Sequence, residues 1–223
     1  MTHTRVRSLG GLALVSMFLV TGCGSVPALN PGVAVRVGDD TVSRQQVQDT
    51  ADDYCAATLT RNAGQVPNHY NNGLSASAYA LRAAADRFMD DHDVSVDDSY
   101  DQAIGEAEAQ LADLSDAQRD AVIQIGGASV YASAAEISVG RDLLGGSPSD
   151  EDAQAAGQKE FVSWLDDHDV RIDPRYGVSV DEGAITGADT SLSFALGSTA
   201  TKADAAEPDA TYAASLPASQ RCG

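Results

Sequence analysis

Basic residues are scarce in this chain: 14 lysines and arginines stand against 33 aspartates and glutamates, and the formal net charge is −19. So acidic a surface repels a phosphate backbone, which argues against nucleic acid as a partner. Aromatic residues make up only 5%, with one tryptophan, so a core must be built mainly from alanine and aliphatic side chains. No apolar run is long enough to span a bilayer as a helix. The common signatures of catalysis are missing too, since neither Gly-x-Ser-x-Gly, His-Glu-x-x-His nor a phosphate loop occurs. Of the four histidines, His3 lies at the extreme amino end, His69 in an asparagine-rich stretch, and His92 and His168 among aspartates. Acidic neighbours favour the charged imidazole, the opposite of a general base. The expectation is a chain that is not an enzyme, has no catalytic residues and needs no cofactor.

What is present begins at the amino end. Arg5 and Arg7 precede an apolar run from Leu12 to Val20, followed by small residues and a cysteine, the layout of a secretory signal. Leu19-Val20-Thr21-Gly22-Cys23 resembles the bacterial lipobox, in which the signal is cut before a cysteine that carries lipid. The resemblance implies that residues 1–22 are removed and that Cys23 bears the lipid, palmitate included. It places the protein on the extracytoplasmic face of the cell membrane. Like charge keeps an acidic chain off an anionic surface, so attachment would come from the lipid alone. Residues 23–32, with Ser25, Pro27, Asn30 and Pro31, read as a tether. In that oxidising compartment the remaining pair, Cys55 and Cys222, reads as a disulfide, two free thiols being the alternative. Such a bridge would close most of the chain and by loop entropy contribute about 5 kcal/mol.

Residues 33–180 read as one mainly helical domain of five helices with short terminal strands. Val33, Val35 and Val37 alternate into a strand, and Gly38-Asp39-Asp40 turns it. Ser43 with Gln46 forms a capping box for a first helix that carries Val47, Ala51, Tyr54 and Thr58 on one face, with Cys55 beside it. Arg61 to Gly73 reads as a loop. Leu74, Ala78, Leu81, Ala85 and Phe88 mark a second helix. A third, capped by Asp97, carries Tyr100, Ile104, Ala107, Leu111 and Leu114. The fourth runs from Ser115 to Leu144, apolar on two faces, with Gly126-Gly127 as a point of bending or close approach. The fifth is capped by Ser149 and carries Phe161, Trp164 and Leu165. Val170-Arg171-Ile172 and Val178 to Val180 are extended pieces around a turn at Asp173-Pro174-Arg175-Tyr176-Gly177. Residues 181–223 are poor in large apolar side chains and are expected to be partly disordered, with Leu192, Phe194 and Leu196 as a short edge strand and Cys222 as a pin.

One pattern repeats. Phe88-Met89-Asp90-Asp91-His92-Asp93-Val94-Ser95-Val96-Asp97 returns 76 positions later as Trp164-Leu165-Asp166-Asp167-His168-Asp169-Val170-Arg171-Ile172-Asp173. Carboxylates and imidazoles suit a divalent cation, which makes Asp90, His92, Asp166 and His168 weak candidate ligands. Neighbours in one run rarely point at one ion, and calcium-loop spacing is absent. The plainer reading is two solvated helix ends whose apolar neighbours enter the core.

Val37-Gly38-Asp39-Asp40-Thr41-Val42-Ser43 resembles the opening of SurA-like and trigger-factor-like secretion chaperones, with Gly38-Asp39 where Asn-Gly is usual. Together with the following helices, the strand pair around Asp173–Gly177 and the closing Leu-Pro-Ala-Ser-Gln-Arg-Cys, it resembles actinobacterial lipoproteins with a SurA-type amino-terminal domain. In that family a parvulin isomerase domain is commonly inserted before the final helix. Here only Gly145-Gly146-Ser147-Pro148 stands there. The resemblance implies a chaperone core without the isomerase, acting on unfolded or secreted polypeptides through an apolar groove. A structural adaptor for one folded envelope protein is the alternative.

Overall fold

In a computed structural model, residues 31–61, 64–187, 197–203 and 209–222 are described. The lipobox with Cys23, most of the tether and the stretch Leu192 to Leu196 lie outside them. Strand β1 (Val33–Val37) turns at Gly38-Asp39 into the antiparallel β2 (Asp40–Ser43). Ser43 then opens α1 (Arg44–Thr60): its hydroxyl accepts from the Gln46 N–H while the Gln46 side chain accepts from the Ser43 N–H, the reciprocal box expected from the sequence. The short β3 (Val66–Pro67) leads into α2 (Asn68–Asp91). This helix begins inside the stretch read as a loop. Pro67, at φ −63°, sets its first turn, and burial of Asn71 and Gly73 outweighs their poor helix propensity.

Asp97 caps α3 (Asp98–Gln110) as expected, but Leu111 and Leu114 fall beyond its end and bury with Ala57 in a small second core. The single fourth helix of the sequence reading is two, α4 (Asp116–Gly126) and α5 (Ala128–Leu144), bent by 52° at the glycine pair. Residues 33–180 therefore hold six helices, not five. Arg82 from α2 fills the inside of the bend. Its Nε donates to the Gln124 carbonyl at 3.3 Å and its Nη2 to the Ile123 carbonyl at 3.1 Å, the second joining the Gly127 N–H that already donates there. The guanidinium lies 5.4 Å and 5.0 Å from the ring centres of Tyr100 and Tyr131, so α3, α4 and α5 meet on one cation.

Ser149 caps α6 (Asp150–Asp167), and β4 (Val170–Ile172) returns to pair with β1, giving the order β2-β1-β4. After one 3-10 turn at Pro174–Tyr176, β5 (Val178–Asp181) pairs with β6 (Ala184–Gly187). Glu182 and Gly183 both have positive φ, the two-residue hairpin turn whose twist matches its strands. So the extended pieces around Asp173–Gly177 do not pair with each other, and the boundary drawn at 180 falls inside β5. Farther along are α7 (Ser198–Ala203), α8 (Ala210–Ser215) and β7 (Arg221–Cys222), which pairs with β3. Order in these pieces comes from the tight turn and from Cys222, bonded to Cys55 with 5.5 Å between Cα atoms. The mainly helical class holds: eight helices and seven short strands occur among the described residues.

Scarcity of aromatics shows in the core. Ala76, Ala80 and Ala84 of α2 and Ala132 and Ala135 of α5 pack around Val35, Val37 and Val139, with Phe88, Phe161 and Trp164 as the large members. Small side chains let helices approach closely. At the α5–α6 crossing a Cβ on Gly140 would overlap the backbone of Ala153, and one on Gly157 would overlap that of Glu136. That crossing is the rigid centre on which both acidic repeats hang.

Candidate functional site

Where α1, α2 and α4 converge, they leave a groove of about 280 Å³, lined by Thr50 and Asp53 from α1, Tyr79 from α2 and Ala117, Asp120, Ala121 and Gln124 from α4. Helical spacing explains the set: Thr50 and Asp53 are three apart, and Ala117, Asp120, Ala121 and Gln124 follow the three- and four-residue steps of one face. Two of these lining residues are tied together by a 2.9 Å hydrogen bond between the Thr50 and Tyr79 hydroxyls. Asp53 and Asp120 make no ion pair or hydrogen bond among the described residues. Chemically the groove offers two uncommitted carboxylates, an aromatic face and an amide. None of His69, His92 and His168 lines it. Exposed large apolar side chains, Leu59, Val130, Leu143, Leu144 and Val162, lie on α1, α5 and α6 instead.

The candidate ligands of the repeats occupy another place. Asp90 and Asp166 are exposed at their helix ends. His92 sits edge-on to Phe88 at 5.0 Å, and His168 stacks on Trp164 at 4.0 Å with its Nδ1 2.7 Å from the Trp164 carbonyl oxygen. Asp91 joins the copies: it accepts from the Trp164 indole N–H at 2.9 Å and lies 3.5 Å from His168 Nε2. Among the described residues no group of three or more His, Cys, Asp or Glu side chains is placed to hold a metal ion.

The repeat also runs further than its ten residues, because Asp97 and Asp173 are each followed three positions on by a tyrosine, Tyr100 and Tyr176. Asp97 accepts from the Ser99 N–H at 3.0 Å and pairs with Arg141 of α5. Asp173 accepts from the Arg175 N–H at 3.1 Å and binds Arg44 Nε at 3.0 Å and Arg175 Nε at 2.9 Å. Burial alone would raise the Asp97 carboxyl, but the Ser99 hydrogen bonds and the Arg141 guanidinium outweigh it and hold the group below its ordinary value. These aspartates are corner posts of the fold.

Glu136 escaped the sequence reading. It is 8% exposed at the α5–α6 crossing. Burial pushes its carboxyl up to about 7, and a hydrogen bond to the Gln154 side chain offsets only part of that. A signal existed: it is the only acid between Asp120 and Asp142, in an otherwise apolar stretch. Asn71 of α2 is also buried, at 3%, with neither amide atom hydrogen-bonded. The chain matches no known protein-family description, no curated protein and no solved structure.

Proposed function

We propose that this protein is a non-enzymatic polypeptide-binding module, held on the extracytoplasmic face of the cell membrane by lipid on Cys23. The observation that carries the reading is the groove between α1, α2 and α4, concave and lined in part by carboxylates, Asp53 and Asp120, that the fold leaves uncommitted. The Cys55–Cys222 bond supports an oxidising compartment. Kinship with SurA-type amino-terminal domains belongs to the same reading. The strand–turn–helix opening and the return of β4 onto β1 support it. A generic chaperone needs a broad apolar groove, whereas this one is small and polar, which favours capture of a particular segment of a partner over indiscriminate holding of unfolded chains.

Two experiments test it. Overlapping short peptides from secreted proteins, arrayed on a surface and probed with the full chain, should retain it at a restricted subset, and Gln124→Arg, which fills the groove, should abolish retention. No retention at any peptide overturns the polypeptide reading, and uniform retention by apolar peptides replaces it with the general chaperone. Cys23→Ser should move the protein out of the membrane fraction; unchanged lipid labelling would refute the anchor.

A further inference from the structure

The groove has chemistry enough to name its occupant. Its volume of about 280 Å³ lies at or below the roughly 300–1,000 Å³ of sites that enclose whole small molecules. It therefore suits one side chain of a larger partner. Asp53 on α1 and Asp120 on α4 present carboxylates to it from two separate helices, and neither has a counter-charge among the described residues. Each nearby cation is engaged elsewhere: Arg119, next to Asp120, binds Asp116 and the Leu114 carbonyl, and Arg82 is held in the bend. Tyr79 offers a ring face, with its hydroxyl fixed by Thr50. Ala117 and Ala121 supply a short apolar wall along which a methylene stem can lie while its charged head meets the acids.

From this we infer that the groove is a receptor for a lysine or arginine side chain projecting from a partner polypeptide, with Asp53 and Asp120 as the binding carboxylates and Tyr79 as the wall. The inference rests on the polypeptide-binding reading and adds the ligand's charge to it. A second copy of this chain offers few occupants, because Arg44, Arg61, Arg119, Arg141, Arg171 and Arg175 are held in the chain's own ion pairs, and Lys159 is the exposed exception among the described residues. Selectivity then comes from charge and from fit to two fixed helices. Its magnitude is that of two partly exposed ion pairs, weak singly and additive when both carboxylates reach one head group.

The test uses the full chain in mild detergent and fluorescein-labelled peptides in which alanine alternates with lysine, arginine, glutamine or glutamate, followed by anisotropy. Lysine and arginine peptides should bind about ten-fold more tightly than the glutamine peptide, a preference worth ~1.4 kcal/mol, and salt should weaken it. Asp53→Asn with Asp120→Asn should erase the preference. Asp166→Asn with Asp167→Asn, an equal charge change at the exposed end of α6, should leave it intact, and thermal melts establish that both double variants fold. A preference that survives in the groove variant, or falls equally in the control, overturns the inference by assigning it to the general acidic surface. Equal binding of all four peptides removes the charge inference and leaves the polypeptide reading standing. Failure of every peptide to bind overturns the charge inference, and the peptide array alone then decides the polypeptide reading.

Discussion

The stretches Phe88–Tyr100 and Trp164–Tyr176 share an Asp-Asp-His-Asp run, two apolar residues at alternate positions, an aspartate and a tyrosine, yet the chain does different things with them. In the first, Asp93 adopts φ 54°, and the Val94 N–H reaches back to the Met89 carbonyl while that of Asp93 reaches Asp90, each at 3.1 Å. This left-handed closure stops α2 sharply. In the second, His168 is already extended, at ψ 147°, and Val170–Ile172 runs straight onto the open edge of β1. After the shared aspartate the paths part again. Asp97 starts the three-and-a-half-turn α3, whereas Asp173 starts one 3-10 turn that Gly177 closes at φ 63°. Pro174 is not the cause, since proline is tolerated at a first helical position. The shared residues thus build the corner and its aspartate post. Neighbouring strand and following glycine decide what is attached to it.

Both copies hang on the α5–α6 crossing, the first through Asp97 and Arg141, the second as the continuation of α6. The largest effect should come from the acid inside that crossing. The folded Glu136 carboxyl titrates near 7 against an ordinary 4.5, so its stabilising contribution is full below pH 4.5 and is lost as pH rises to 7. Glu136→Gln should flatten this slope and, above pH 7, exceed the parent by up to about 3 kcal/mol in urea unfolding. Hydrogen exchange at Ser99 and the near-ultraviolet signal of Trp164 should shift together, because the frame is common; a change at one copy only would break the comparison.

Next in size, Asp173→Ala should cost about 2–3 kcal/mol and Asp97→Ala about 1–2, since the first post holds two arginines and the second holds one, each with a cap. Equal losses would mean that the posts are interchangeable despite their different partners. The smallest effect sharpens the comparison most. Asp93→Gly should stabilise by about 0.5–1 kcal/mol, because only that copy needs a left-handed residue, whereas Asp169→Gly should destabilise by a similar amount. Opposite signs are the expected result, and matching signs would show that the two helix ends close alike.

Caps, alternation and helical spacing were readable because they are local: Ser43 with Gln46, Asp97, Ser149 and the valines of β1 all do what their neighbours in sequence dictate. The disulfide was readable from parity together with the compartment that the lipobox-like amino end implies. By contrast, the start of α2 at Asn68 was hidden, since burial of Asn71 and Gly73 against distant segments overrides a loop-like composition. The groove was hidden for the same reason. Thr50, Asp53, Tyr79 and Asp120 are unremarkable in sequence, and only the relative rotation of three helices, set by alanine packing and by Arg82 in the bend, turns them toward one space. Glu136 was legible in principle as a lone acid in an apolar stretch, but its depth depends on how closely Gly157 lets α6 approach.

The bond between Cys55 and Cys222 also dictates how the molecule carries mechanical load. Tension applied between its two ends travels along β1, β2 and most of α1 to Cys55, crosses the sulfurs and leaves at Cys222. Helices α2 to α6 lie wholly inside the closed loop, off this covalent path, and meet the load only through contacts with β1 and α1. A pull at the amino end would therefore peel β1 from β4 first, and the groove wall contributed by α1 would be the part of the groove that feels the strain.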